Sequence, residues 1–233
     1  MSSKTHQEEY GWTAVPRGRS NVPSEQEAKT ANVQVNFDSI WPRTELVKKS
    51  QAYVKEKLPE KTYNHSLRST ATHFRSWIEQ ARDQFFETWA LTCLFHDIAT
   101  TEENRNATWL SFEFQGGFIA LQELQNYGAP VSQAESVCES IIRHQDPGET
   151  GTISRMGQLV QLATELDNMG WQPYLVDKAV IEQVVKQLLR KKWSSCFAQS
   201  IQDEIDAKPW CHTTAIPGFK EAVAGNRLME PYD

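Results

Sequence analysis

Little in this sequence marks it for a bilayer, for export or for nucleic acid. No apolar run approaches the ~20 residues that cross a membrane. The opening stretch MSSKTHQEEYGWTAVPRGRS lacks the apolar segment of a secretory signal. Four cysteines (Cys93, Cys138, Cys196 and Cys211) are scattered through 233 residues without a CxxC pair. Two of them sit in apolar helical patterns, where a reduced thiol simply packs. A cytoplasmic protein with no membrane partner is expected. Basic residues are the minority, 24 Lys and Arg against 30 Asp and Glu for a net charge of -6, and they form no block. No nucleic-acid partner is therefore expected. There is no GxSxG elbow to support a serine nucleophile.

Strand-like alternation is also missing. Residues 1–35 are polar and aperiodic and read as a tail, loosely ordered or lying over the surface. Residues 36–233 read as one all-α domain. Tyr63, Leu67, Thr70, Phe74 and Trp77 recur at helical spacing, as do Ala134, Val137, Cys138, Ile141 and Ile142. A third helix runs through Met156, Leu159, Val160, Ala163 and Leu166. VDKAVIEQVVKQLLRKKW predicts a fourth, ending in a basic turn that suits the negative end of the helix dipole. QNYGAP and DPGETGT read as connectors.

Against this background several polar residues stand out. FFETWALTCLFHD is apolar almost all round, which predicts a helix buried on most sides and turns His96 and Asp97 inward. Asp167 continues the stripe of Val160 and Ala163, and Thr164 shares much of its face. His65 lies off the main stripe of its helix, on a face with Arg68, Ser69, Thr72 and Ser76 that reads equally as wet surface or as the wall of a polar cavity. His144 follows Ile141 at a helix end, where a lone histidine ordinarily serves as a cap. His65, His96, Asp97 and Asp167 combine imidazole nitrogen with carboxylate oxygen, a set that suits a first-row divalent metal better than calcium. A cation there would offset the burial of both aspartates.

A histidine, a His-Asp pair about thirty residues on and a distant Asp resemble the metal-site pattern of the HD-domain superfamily. The surrounding segments TYNHSLR, WALTCLFHDIAT, SFEFQGG, ESIIRHQDPG, GQLVQLATELDNMG and KPWCHTT, with GWTAVP near the start, resemble the fungal cyanamide hydratases over roughly residues 10–230. The resemblance implies a helical HD domain, Zn2+ held by His65, His96, Asp97 and Asp167, and addition of water to the nitrile of cyanamide to give urea. One departure is noted: the family's HD-x-G-T carries Ala99 here, in HDIAT, which is expected to reshape the pocket edge and bear on which substrate binds.

The mechanism this suggests is attack by metal-bound hydroxide, with Asp97 at the metal and His144 protonating the nitrile nitrogen. Thr164 and Asn168 would orient the substrate. His212 in KPWCHTT reads as a buried contact with an interface role left open, and His73 as an improbable second metal ligand. A homo-oligomer acting on a small molecule is expected. The alternatives are hydration of another nitrile- or isocyanide-like compound, an HD-type phosphohydrolase using Arg68, Arg75 or Arg143, or an interaction protein in which metal only ties helices together.

Overall fold

A computed structural model describes residues 7–18, 22, 24, 25, 41–71 and 83–233. Phe74, Trp77, His73 and Arg75 lie outside the described residues. Helices dominate: α1 Glu45–Lys57, α2 Glu60–Ala71, α3 Asp83–Phe95, α4 Glu102–Asn106, α5 Phe112–Asn126, α6 Val131–Arg143, α7 Arg155–Met169, α8 Lys178–Gln187, α9 Trp193–Ala207 and α10 Phe219–Ala224. Two short strands, β1 Ala14–Pro16 and β2 Thr152–Ser154, pair antiparallel with Val15 opposite Ile153. No helix among the described residues is long and apolar enough to cross a membrane.

The all-round apolarity of α3 has a direct cause, because the helix is shared by two cores. Phe85, Trp89 and Cys93 pack with Met156, Leu159, Val160 and Ala163 of α7 and with Val180, Ile181, Val184 and Val185 of α8. Leu91, Leu94 and Phe95 pack instead with Val47 and Val54 of α1, Leu67 of α2, Leu124 of α5 and Ile141 of α6. A third cluster joins Trp193, Phe197 and Ile201 of α9 to Phe219 and Val223 of α10. The helix ends follow local chemistry. Ser154 caps α7 by accepting from the Gly157 amide, and Gly170 closes it with a left-handed backbone, φ 68°.

Two expectations need correction. The helix expected to run through LLRKKW stops at Gln187, and Lys191 and Lys192 both take positive φ (53° and 60°) before α9 begins. That break turns Arg190 inward, where it is fully buried. Two strands exist where none was expected. They are only three residues each, too short for alternation to register. Residues 10–17 lie over the helical body, the second of the two readings of the N-terminal segment: Ser136 Oγ donates to the Tyr10 carbonyl at 2.5 Å and Trp12 Nε1 to the Ser132 carbonyl at 3.0 Å.

Candidate active site

Four segments meet at the middle of the molecule. His65 comes from the centre of α2 and is fully buried, as are Arg68 and Ser69 beside it, so these residues form an internal wall; Thr72 and Ser76 lie outside the described residues. His96 closes α3 through its amide to the Thr92 carbonyl, and Asp97 begins the tight turn Ile98–Thr100. His144 caps α6. α7 supplies Thr164, Asp167 and Asn168, all buried.

Hydrogen bonds determine which ring nitrogen is free. His65 Nδ1 donates to Asp167 Oδ2 at 2.6 Å, and His96 Nδ1 donates to the Cys93 carbonyl at 2.8 Å. Each neutral ring is thereby left with a lone pair on Nε2. Those two Nε2 atoms face one another at 3.1 Å. Asp97 Oδ2 stands 3.3 Å from one and 3.6 Å from the other, and neither Asp97 oxygen accepts a hydrogen bond. Two lone pairs and a buried carboxylate pointing at one spot repel unless a cation lies between them. This donor set can hold a metal ion, with ligand atoms of His65, His96 and Asp97 all within 4.8 Å of one another. The electrostatics favour positive charge at this spot. Burial would raise the Asp97 carboxyl, but the His96 and His65 imidazoles outweigh it and hold it at about 2. Burial also opposes a proton on His96, yet the Asp97 carboxylate prevails and raises that ring.

Asp167, the fourth residue expected at the metal, is not brought into this group. Its carboxylate lies on the Nδ1 side of His65 and is fully engaged. Arg68 donates through Nε (3.0 Å) and Nη2 (2.9 Å), and Arg190 Nη1 donates at 2.6 Å. Burial would raise the Asp167 carboxyl, but these two guanidinium groups hold it well below the usual carboxylate range. Asp167 orients and polarises a histidine of the group from behind, as carboxylates do in carboxylate–histidine–metal arrangements. The His65 ring is further fixed by stacking on Trp193, with centroids 4.4 Å apart at 15°. Arg190 and Trp193 are the residues that sequence reasoning missed. A basic run leaving a helix carries no signal that one of its members turns inward.

Beside this group lies a small cavity lined by His144, Gln145, Thr164, Asn168, Trp171 and Phe219, among others. It leaves about 30 Å³ for the centres of water-sized molecules, room for two or three at ~10–15 Å³ each. A roomier hollow of about 350 Å³ near Arg17 and Gln161 contains none of the residues singled out from the sequence. His144 joins the cavity to the cation group, its ring edge-on to His96 with centroids 5.3 Å apart. Its Nδ1 donates to the Ile141 carbonyl at 2.7 Å, leaving Nε2 as an acceptor. Burial and the neighbouring His96 push its pKa down to about 4. At neutral pH His144 is therefore a proton acceptor first, and can donate only after taking a proton. Thr164 Oγ1 donates to the Val160 carbonyl at 2.9 Å, which leaves the hydroxyl oxygen as an acceptor. Asn168 Oδ1 accepts from Trp193 Nε1 at 2.8 Å, so its amide nitrogen is left to donate.

Ala99 is placed elsewhere. It is buried and lines a separate indentation with Phe112, Phe197, Ile201 and Glu204. It is not among the positive-φ residues, so its backbone has no need of glycine. His212 is partly exposed and bonds Glu113 Oε1 at 2.7 Å.

No protein-family model matches the chain. Two curated proteins of Saccharomyces cerevisiae, cyanamide hydratase DDI2 and cyanamide hydratase DDI3, are each 38% identical to it over 183 residues. Each match covers 75% of this chain and 79% of the yeast protein.

Proposed function

Because the chain belongs to the cyanamide hydratase family, we propose that it adds water across the nitrile of cyanamide to give urea, with zinc held by His65, His96 and Asp97. The observation that carries this reading is the convergence of two imidazole lone pairs and an unpartnered carboxylate next to a cavity sized for about three heavy atoms. A divalent ion bound there, with no fourth ligand in the group, would polarise what enters the open position and lower the pKa of a bound water towards ~7.

The chain's own residues do the rest. Cyanamide has an amino end that donates and a nitrile end that accepts. The Thr164 oxygen suits the first and the Asn168 amide the second, so the pair orients the molecule in the cavity. Neutral His144 takes a proton from the attacking water. As the oxygen–carbon bond forms, one carbon–nitrogen π bond breaks and its electron pair moves to the nitrile nitrogen. The His144 imidazolium, unfavourable in its buried setting, then delivers the proton to that nitrogen. The isourea formed tautomerises to urea. Asp167 acts only through His65.

Phosphate-ester hydrolysis is less well supported. The cavity is small for a nucleotide, and Arg68 and Arg190 are committed to Asp167 rather than to a phosphate. The proposal includes a cytoplasmic setting and a catalytic unit of residues 36–233 preceded by a polar N-terminal segment of residues 1–35. It also includes a homo-oligomer, for which the exposed Trp109 and Trp210 offer apolar surface and which sedimentation velocity would test. The functional test is urea formation from cyanamide by metal-loaded protein, with phosphomonoesters in parallel. Urea without phosphate release is expected. Phosphate release without urea would overturn the reading.

A further inference from the structure

Residues 10–17, which include the whole GWTAVP motif, belong to neither the cation group nor the cavity wall, yet they tie together the elements that build both. Tyr10 and Trp12 bond Ser136 and Ser132 on α6, the helix that ends in His144. β1 then pairs with β2, which leads directly into α7 and its Thr164 and Asn168. Between α6 and β2 runs the loop 144–151, which begins with two cavity residues, His144 and Gln145.

That loop folds around a single guanidinium. Arg17 Nη2 donates to the Asp146 carbonyl at 2.7 Å and pairs with Asp146 Oδ1 at 2.7 Å. Its Nη1 reaches the Thr150 carbonyl at 3.3 Å, and its backbone amide donates to the Gly151 carbonyl at 3.0 Å. Gly148 lies against the guanidinium so closely that a Cβ there would stand 2.8 Å from Nη2. From α7, Gln161 Nε2 donates to the carbonyls of Arg143 and Asp146 at 2.8 and 2.9 Å. An irregular connector is ordinarily the readily displaced part of a fold. Here its carbonyls are gathered by Arg17 and Gln161.

We infer that Arg17 is a positioning residue: by holding the Asp146 carboxylate and the carbonyls of Asp146 and Thr150, it sets the loop that carries His144 and Gln145 over the substrate cavity. Arg17 touches no reacting atom. Its contribution is geometric, and displacement of a catalytic group by about 1 Å can cost up to 10²-fold in rate. The kinetic part of this inference rests on the function proposed above; the structural part does not.

The test compares Arg17→Met, Arg17→Lys and, as a charge-removal control, Arg227→Met, whose side chain is 87% exposed. Metal content, the kinetics of cyanamide hydration and amide hydrogen exchange over residues 145–151 are measured for each. Arg17→Met is expected to keep its metal and lose about tenfold in kcat, with KM changed far less. Its loop amides should exchange faster. Lysine should restore part of kcat, as should millimolar guanidinium added to Arg17→Met, while Arg227→Met should match wild type. Wild-type kcat together with wild-type loop exchange in Arg17→Met would overturn the inference. If the wild-type protein makes no urea, the functional reading falls and exchange alone decides: unchanged exchange overturns the role of Arg17, and faster exchange sustains it. Should Arg17→Met fail to fold, Gly148→Ala displaces the same guanidinium and is judged by the same two readouts.

Discussion

Asp167 accepts a hydrogen bond from His65 Nδ1 at 2.6 Å, on the side of the ring away from the Nε2 that faces His96. One carboxylate thus makes the imidazole a one-sided donor. It is itself neutralised by Arg68 and Arg190, and Arg190 Nε also reaches Asp233 at 2.8 Å. Asp97, on the other side, has no such support and only the two imidazoles for company.

The two aspartates should therefore respond differently to substitution. Asp167→Ala leaves two buried guanidinium groups facing a hole and is expected to destabilise the protein by about 3–5 kcal/mol. Asp97→Asn removes a carboxylate that, despite its burial, the His96 and His65 imidazoles hold at about 2, so in metal-free protein it should destabilise, but by less than Asp167→Ala, while the metal-induced rise in Tm is lost. Thermal melts with and without zinc, after chelator dialysis, check both. A larger loss for Asp97→Asn than for Asp167→Ala in metal-free protein would exchange their roles.

His144 should give stability a definite slope with pH. Its folded pKa is lowered to about 4, against ~6.5 for an unperturbed imidazole, so below ~6.5 the unfolded chain takes up a proton that the folded chain resists. Its neutral form is fully accommodated above ~6.5, and stability is lost as pH falls from there towards 4. His212 acts in the opposite sense. Its hydrogen bond to Glu113 raises its pKa, so that contribution is present below ~6.5 and lost as pH rises through the raised value. The stability of wild type relative to His144→Gln, measured between pH 7 and 4, should fall on acidification. A flat difference would mean that His144 is not held neutral.

Thr164→Val keeps the volume of the side chain and removes the oxygen offered to the amino end of cyanamide. With metal binding unchanged, kcat/KM should drop about tenfold, the worth of one hydrogen bond of roughly 1–1.5 kcal/mol. Steady-state kinetics on the metal-loaded variant check this, and unaltered kcat/KM would remove Thr164 from the substrate site.

Ala99→Gly tests the departure from the family pattern. Ala99 is packed in the second core and lines an indentation apart from His144 and Thr164. The substitution should leave kcat/KM within about twofold and cost roughly 0.5–1 kcal/mol in stability. A severalfold gain in kcat/KM would move Ala99 to the edge of the working pocket.

Much of this arrangement was legible in the sequence because buried polar residues are conspicuous on apolar stripes. His96 and Asp97 announced themselves at the end of a helix apolar on every side, and Asp167 at a core position of α7. Periodicity located Asp167 on an inward face but could not say on which side of the His65 ring it would lie, since that depends on where Arg68 and Arg190 reach. His65 was ambiguous for the same reason: a polar helix face looks alike whether it meets water or another helix. Arg190 was illegible because its inward turn depends on the positive φ of Lys191 and Lys192, at positions with no glycine to announce it. Arg17 sat in a polar segment whose only order is tertiary.

The most direct measurement is anomalous scattering at the zinc edge from crystals of metal-loaded protein. One peak is expected, ~2.0–2.2 Å from His65 Nε2, His96 Nε2 and an Asp97 oxygen, with Asp167 beyond bonding distance and still bound to Nδ1 of His65. A peak ligated by Asp167, or no zinc at these three residues, would contradict it.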